Sequence, residues 1–141
     1  GSSNLMYASL RPANVQAVAA MGAIADLAAY HGFCRQGASR LPILGEIADS
    51  LEEHYGGTPA AQPELYRRHS PLFHCEALLG MPLFLAHGTA DVLMPVAQSR
   101  RLAGALAEHG HFWYHEIAGG GHDAPLLLDP CEFIADKMMN A

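Results

Sequence analysis

Apolar residues follow two rhythms along this chain. Continuous short runs occupy residues 15–21 (VQAVAAM) and 83–86 (LFLA). Runs of that length bounded by turn residues read as strands buried on both faces. Residues 112–117 (FWYHEI) are aromatic and β-branched enough for a third strand. Elsewhere the apolar positions recur at helical spacing. Ile43, Leu44, Ile47 and Leu51 predict a helix over 43–54, closed by Gly56 and Gly57. Val96, Leu102, Ala105 and Leu106 share one face of a helix expected over 96–109 and ended by Gly110. Residues 4–11 carry good helix formers and stop at Pro12, and Pro63 opens a short helix at 63–66. A helical turn is expected at 25–30, and a last amphipathic helix at 125–139, capped around Asp129 and Pro130. Residues 33–44, with their glycines, arginines and proline, read as an irregular crossing segment, and 58–62 as a turn.

Strand, helix, strand and helix in alternation make this an α/β protein with a parallel sheet of about three strands and crossover helices. Right-handed crossovers place the strands at 83–86 and 112–117 side by side and bring the loops after them to one edge. That edge is where open α/β sheets keep their ligand crevices. The first loop delivers Asp91, three residues past His87-Gly88; the second delivers His122 after Gly119, Gly120 and Gly121. A carboxylate bonded to one imidazole nitrogen fixes the tautomer and stabilises the imidazolium, leaving the other nitrogen to take a proton from a nucleophile. The pair therefore supplies an acid and a base for nucleophilic catalysis.

Other residues carry less. His109, His111 and His115 have a spacing reminiscent of metal ligands, which gives a metal-binding module as one alternative. No carboxylate or thiolate stands in register with them, so neither a metal nor a cofactor is expected. His87 shapes the turn, and His69-Ser70 is expected to be structural.

Composition narrows the setting. Eight basic against 14 acidic residues give a net charge of −6, which argues against nucleic acid or an anionic membrane as partner. No apolar stretch reaches the ~18 residues of a membrane span, and the N-terminus lacks the layout of a signal peptide. Cys34, Cys75 and Cys131 are odd in number and widely spaced, as expected of reduced thiols in a cytoplasmic protein.

The segment PLFLAHGTADVLMPVAQSRRLAGALAEHG, followed by GGGH, resembles the C-terminal end of α/β-hydrolases. The likeness is to the prolyl-oligopeptidase and dipeptidyl-peptidase group and related bacterial esterases. Residues 55–74 resemble the approach to the central strand, and 4–18 the helix after the nucleophile. In that family HGxxD carries the triad acid and G-x-G-H the base, which implies Asp91 and His122. The resemblance implies a serine hydrolase acting on a small ester or peptide through an acyl-enzyme. The family's nucleophile sits in G-x-S-x-G on a strand-to-helix turn. Here Gly1-Ser2-Ser3-Asn4-Leu5 keeps a glycine and a serine, but Leu5 stands where the last glycine belongs and no strand precedes it. Ser3 is thus a candidate, while a helix of family length puts the serine at or before residue 1. Residues 1–141 then form one partial hydrolase domain lacking its N-terminal strands, with residues 1–3 the remnant of a tag. Two expectations follow: association through an exposed sheet edge, as a homo-oligomer or with an N-terminal portion, and, as the alternative to an enzyme, a catalytically inactive interaction module.

Overall fold

A computed structural model of the chain describes residues 1–128, 132, 135 and 136. Its core is a sheet of three parallel strands in the order β1 (Val18–Met21), β2 (Leu83–Gly88) and β3 (Phe112–Ile117). Val18 pairs with Leu83, and Leu83 with Phe112, so all three strands start in register. β2 is central because both its faces can be buried: Leu83, Leu85, Ala86 and His87 are wholly inaccessible. The expected strands are all present. That near residue 15 begins later, because Pro12–Asn14 forms a 3-10 turn first.

Helix α1 (Ser2–Leu10) lies on the sheet through Leu5 and Ala8, which join Val18, Ala20, Leu83 and Leu85 in the main core. Full burial of each such leucine contributes roughly 1.5–3 kcal/mol. Helices α2 (Leu27–Gly37) and α3 (Pro42–Tyr55) form a hairpin packed around Tyr30, Cys34, Leu44 and Ala48. Asp26 caps α2 by accepting from the Ala29 amide at 3.1 Å. Gly56, at φ 74°, ends α3 in the left-handed conformation that glycine adopts without penalty. α4 (Pro63–Arg68) and the unforeseen α5 (Cys75–Leu78) lead into β2.

Two expectations need correction. The segment 33–44 is not irregular: α2 runs to Gly37 and α3 starts at Pro42. Leu27, Tyr30, His31 and Cys34 bury one helical stripe, and this burial outweighs the low propensity of Gly32. The crossover helix α6 (Val96–Ala105) stops short of His109, because the Leu106 amide is shared between Leu102 and Ala103 carbonyls at 3.0 and 3.3 Å. Its buried face is Gln98, Ser99, Leu102 and then Leu106, whereas Ala105 is exposed. The helix expected over 125–139 lies mostly outside the described residues, and its start belongs to a 3-10 turn, Ala124–Leu127. Among the described residues no helix is long and apolar enough to cross a membrane.

Candidate active site

Strands β2 and β3 end side by side, and their loops are stitched together. The Thr89 amide donates to Ile117 O at 3.0 Å, Ala90 to Gly120 O at 2.9 Å, and Gly119 to the Thr89 hydroxyl at 2.8 Å. Gly88 permits this approach, since a Cβ there would collide with the carbonyl oxygens of Gly120 and Gly121. Gly119 turns the second loop at φ 68°.

The stitched loops put the two predicted side chains in contact. Asp91 has a side chain only 1% exposed, and its Oδ2 lies 2.8 Å from His122 Nδ1. Its Oδ1 accepts from the amides of Leu93 and Met94 at 2.9 and 2.8 Å. A carboxylate oxygen accepts, so Nδ1 of His122 donates to Asp91 and Nε2 is the nitrogen left for another partner. The His122 side chain is 46% exposed, and Nε2 has no partner among the described residues. Gly22, just past β1 at φ 56°, backs the pair: a Cβ there would stand 3.3 Å from His122 Cε1 and 3.5 Å from Asp91 Oδ2.

A ring of residues that the sequence did not single out as functional supports this contact. His87 lies inside β2 rather than in the turn. Its Nε2 donates to Met94 O at 2.8 Å, and its Nδ1 is hydrogen-bonded to the Ser99 hydroxyl at 2.6 Å. The same Nε2 lies 3.4 Å from Asp91 Oδ2. Next to Ser99, Gln98 accepts from the amides of Ala25 and Asp26 at 2.9 and 2.8 Å and donates to Asp26 O at 3.2 Å. It thereby holds the loop that carries Gly22. Tyr30 donates to Leu93 O at 3.1 Å. Burial, then the neighbouring Cys34, pushes its phenol up, which keeps it a donor. The signal for Gln98 and Ser99 was a polar pair on the core-facing side of an amphipathic helix.

The remaining candidates lie apart from the pair. Ser3 is exposed on the first turn of α1, at a surface cavity shared with Met6, Tyr7, Leu10, Arg11 and Arg68, and no hydrogen bond joins it to His122. Ser2 instead accepts from the Ile24 amide at 2.9 Å, pinning the start of α1 beside the loop after β1. His69 and Ser70 have separate structural partners, the Tyr55 hydroxyl at 2.9 Å and the Tyr66 carbonyl at 2.7 Å. His109 lies 3.2 Å from Met81 O through Nε2. Among the described residues no group of three or more histidines, cysteines or acids could hold a metal ion, so the metal-binding alternative gains no support.

Parallel strands, helical crossovers and loops gathered at one rim define this as part of an α/β-hydrolase fold. The chain belongs to the prolyl oligopeptidase family: residues 42–124, more than half of its length, match the model of that family. Solved structures agree on the fold. The chain is similar to a puromycin-hydrolyzing peptidase from Mycobacterium tuberculosis, at 24% identity and a TM-score of 0.55, over 76% of this chain and 15% of that one. It is also similar to the acylaminoacyl peptidase of Pyrococcus horikoshii, at 19% identity and a TM-score of 0.62, over 95% of this chain and 20% of that one. A truncated carbohydrate esterase from gut microbiota matches at 18% identity and a TM-score of 0.63, over 89% of this chain and 43% of that one. The chain thus spans less than half the length of these structures. A comparison with curated proteins gives no match.

Proposed function

We propose that Asp91 and His122 are the acid and base of a serine hydrolase that cleaves a small peptide or ester through an acyl-enzyme. Nε2 of His122 takes the proton of the nucleophilic hydroxyl and later returns it to the leaving group. Asp91 holds the ring through Nδ1 and stabilises the imidazolium formed on the way. The observation that carries this reading is the 2.8 Å bond between a buried, fully engaged carboxylate and an imidazole whose other nitrogen is free among the described residues.

The nucleophile, in this reading, is a serine N-terminal to residue 1 of a longer protein. Two observations support that placement. Ser2 is already engaged with the loop after β1, so the chain enters α1 at the rim where His122 sits. Ser3 stands instead at the α1 surface cavity with Arg68. The outer edge of β1 then pairs with another strand, from an N-terminal portion or a second copy; a monodisperse monomer with a solvent-exposed β1 edge counts against this. The free cysteines Cys34 and Cys75 fit a reducing, cytoplasmic setting.

Labelling with a fluorophosphonate, followed by peptide mapping, tests the proposal on protein that carries the residues preceding Gly1. The expected adduct lies on a serine before residue 1. No adduct on folded protein removes the hydrolase reading, and an adduct on Ser3 overturns the placement of the nucleophile.

A further inference from the structure

The connection between α2 and α3 borders a cavity of about 370 Å³, lined by Phe33, Gly37, Arg40, Leu41, Leu44 and Val92. It adjoins the loop that carries Asp91 through sequence and packing alike. Val92 directly follows Asp91 and is 65% exposed. The ring of Phe33 stacks on Tyr30, with centroids 6.2 Å apart, and Tyr30 holds Leu93 O. One wall of the cavity and the loop bearing the carboxylate therefore form one packed unit. The opposite lip is fixed as well, because the amides of Arg40 and Leu41 both donate to Gly37 O at 3.0 Å. Gly37 lets Leu44 into the floor: a Cβ there would lie 2.5 Å from Leu44 Cδ1.

Arg40 is the charged group in this otherwise apolar lining. Of the other six arginines, five have a side-chain partner and Arg68 has none among the described residues. Arg35 pairs with Asp49 and Glu52, Arg100 with Glu116, and Arg101 with Asp26, while Arg67 covers the ring of Phe73. Arg40 has no ion pair or hydrogen bond from its side chain among the described residues, in a chain where acids outnumber bases by 14 to 8. A guanidinium left unpaired at the mouth of an apolar cavity is available to an anion, and its planar fork matches a carboxylate. The volume is ample for an aromatic group, since a closed cavity of ~150 Å³ already takes benzene.

We propose that this cavity receives an apolar group of the substrate and that Arg40 binds a carboxylate carried beside it. The substrates are accordingly anionic esters or peptides with an aromatic or branched apolar group next to the acid. This rests on the reading of Asp91 and His122 as catalytic, which makes the cavity a substrate subsite; binding in it needs no nucleophile and can be measured on the chain alone.

The probe is 3-phenylpropionate, with its uncharged amide as control, titrated while ¹H–¹⁵N spectra are recorded. The acid is expected to shift Val92, Leu41 and the Arg40 Nε signal saturably, and to bind roughly tenfold tighter than the amide. Arg40→Gln, an exposed change, should bring the acid down to the affinity of the amide and leave the amide unchanged. Equal binding of acid and amide, shifts elsewhere, or no shifts on folded protein would overturn the proposal. Serine labelling is a separate readout: acid binding without a labelled serine keeps the cavity and loses the hydrolase, and a labelled serine without acid preference does the reverse.

Discussion

The two members of the pair are held in opposite ways. Asp91 is sealed, with both carboxylate oxygens committed to Leu93, Met94 and His122 and with His87 behind it. His122 is 46% exposed, stands on a loop turned by Gly119, and is held by one side-chain bond and the bare backbone of Gly22. The carboxylate is the part of the site that the fold invests in. A charge fixed in place needs buried donors that cost stability when one side is removed. A proton carrier needs one nitrogen fixed and the other open to solvent and substrate.

The largest expected effect of breaking this contrast is on the acid side. Asp91→Ala leaves two amides and one imidazole without their acceptor, and should cost about 3 kcal/mol in urea unfolding. His122→Ala removes an exposed ring and should cost under ~1 kcal/mol in the same measurement. Equal losses from the two changes would erase the distinction.

The support behind the acid should come next. Ser99→Ala leaves Nδ1 of buried His87 without its hydroxyl partner, an expected loss of about 1–3 kcal/mol in urea unfolding. Ser99→Thr, which keeps the hydroxyl, should restore most of it. A neutral Ser99→Ala would show that His87 needs no anchor on α6.

The strand that delivers the base gives the smallest effect. Arg100 first, then the Tyr114 hydroxyl, hold Glu116 on β3 down to a pKa of about 2, from an ordinary value near 4.5. A depressed folded value stabilises the protein at pH above the unfolded value, and that part is lost as pH falls from about 4.5 towards 2. The Arg100 side chain is 56% exposed, so the contribution is small and screened by salt. Glu116→Gln should therefore narrow slightly the gap between urea midpoints at about pH 6 and about pH 3; an unchanged gap would show that the ion pair contributes nothing.

Much of this site was readable along the chain, because its two chemical groups stand just past two short apolar runs. A residue's place after a strand is a local fact, and α/β topology converts it into a shared rim. The supports were not readable in the same way. Gln98 meets Ala25 and Asp26 across more than 70 residues, and Tyr30 meets Leu93 across 63. Such bonds exist only once the helices have docked. His87 was mistaken for a turn residue because glycine follows it, yet the strand continues to Gly88 and buries the ring. The extent of α2 was missed although Leu27, Tyr30, His31 and Cys34 carried its period, since Gly32 and Gly37 hid it. The short α5 had too few residues to show a period at all.

On the proposed reading, His122, oriented by Asp91, moves the proton in a serine hydrolase. The most direct measurement is kcat/KM for ester hydrolysis by protein that carries the residues preceding Gly1 and by its His122→Ala variant. A fall of roughly 10⁴- to 10⁶-fold is expected with the fold intact. A fall of less than about tenfold would contradict that reading, because no general base of this kind can be removed at so small a cost.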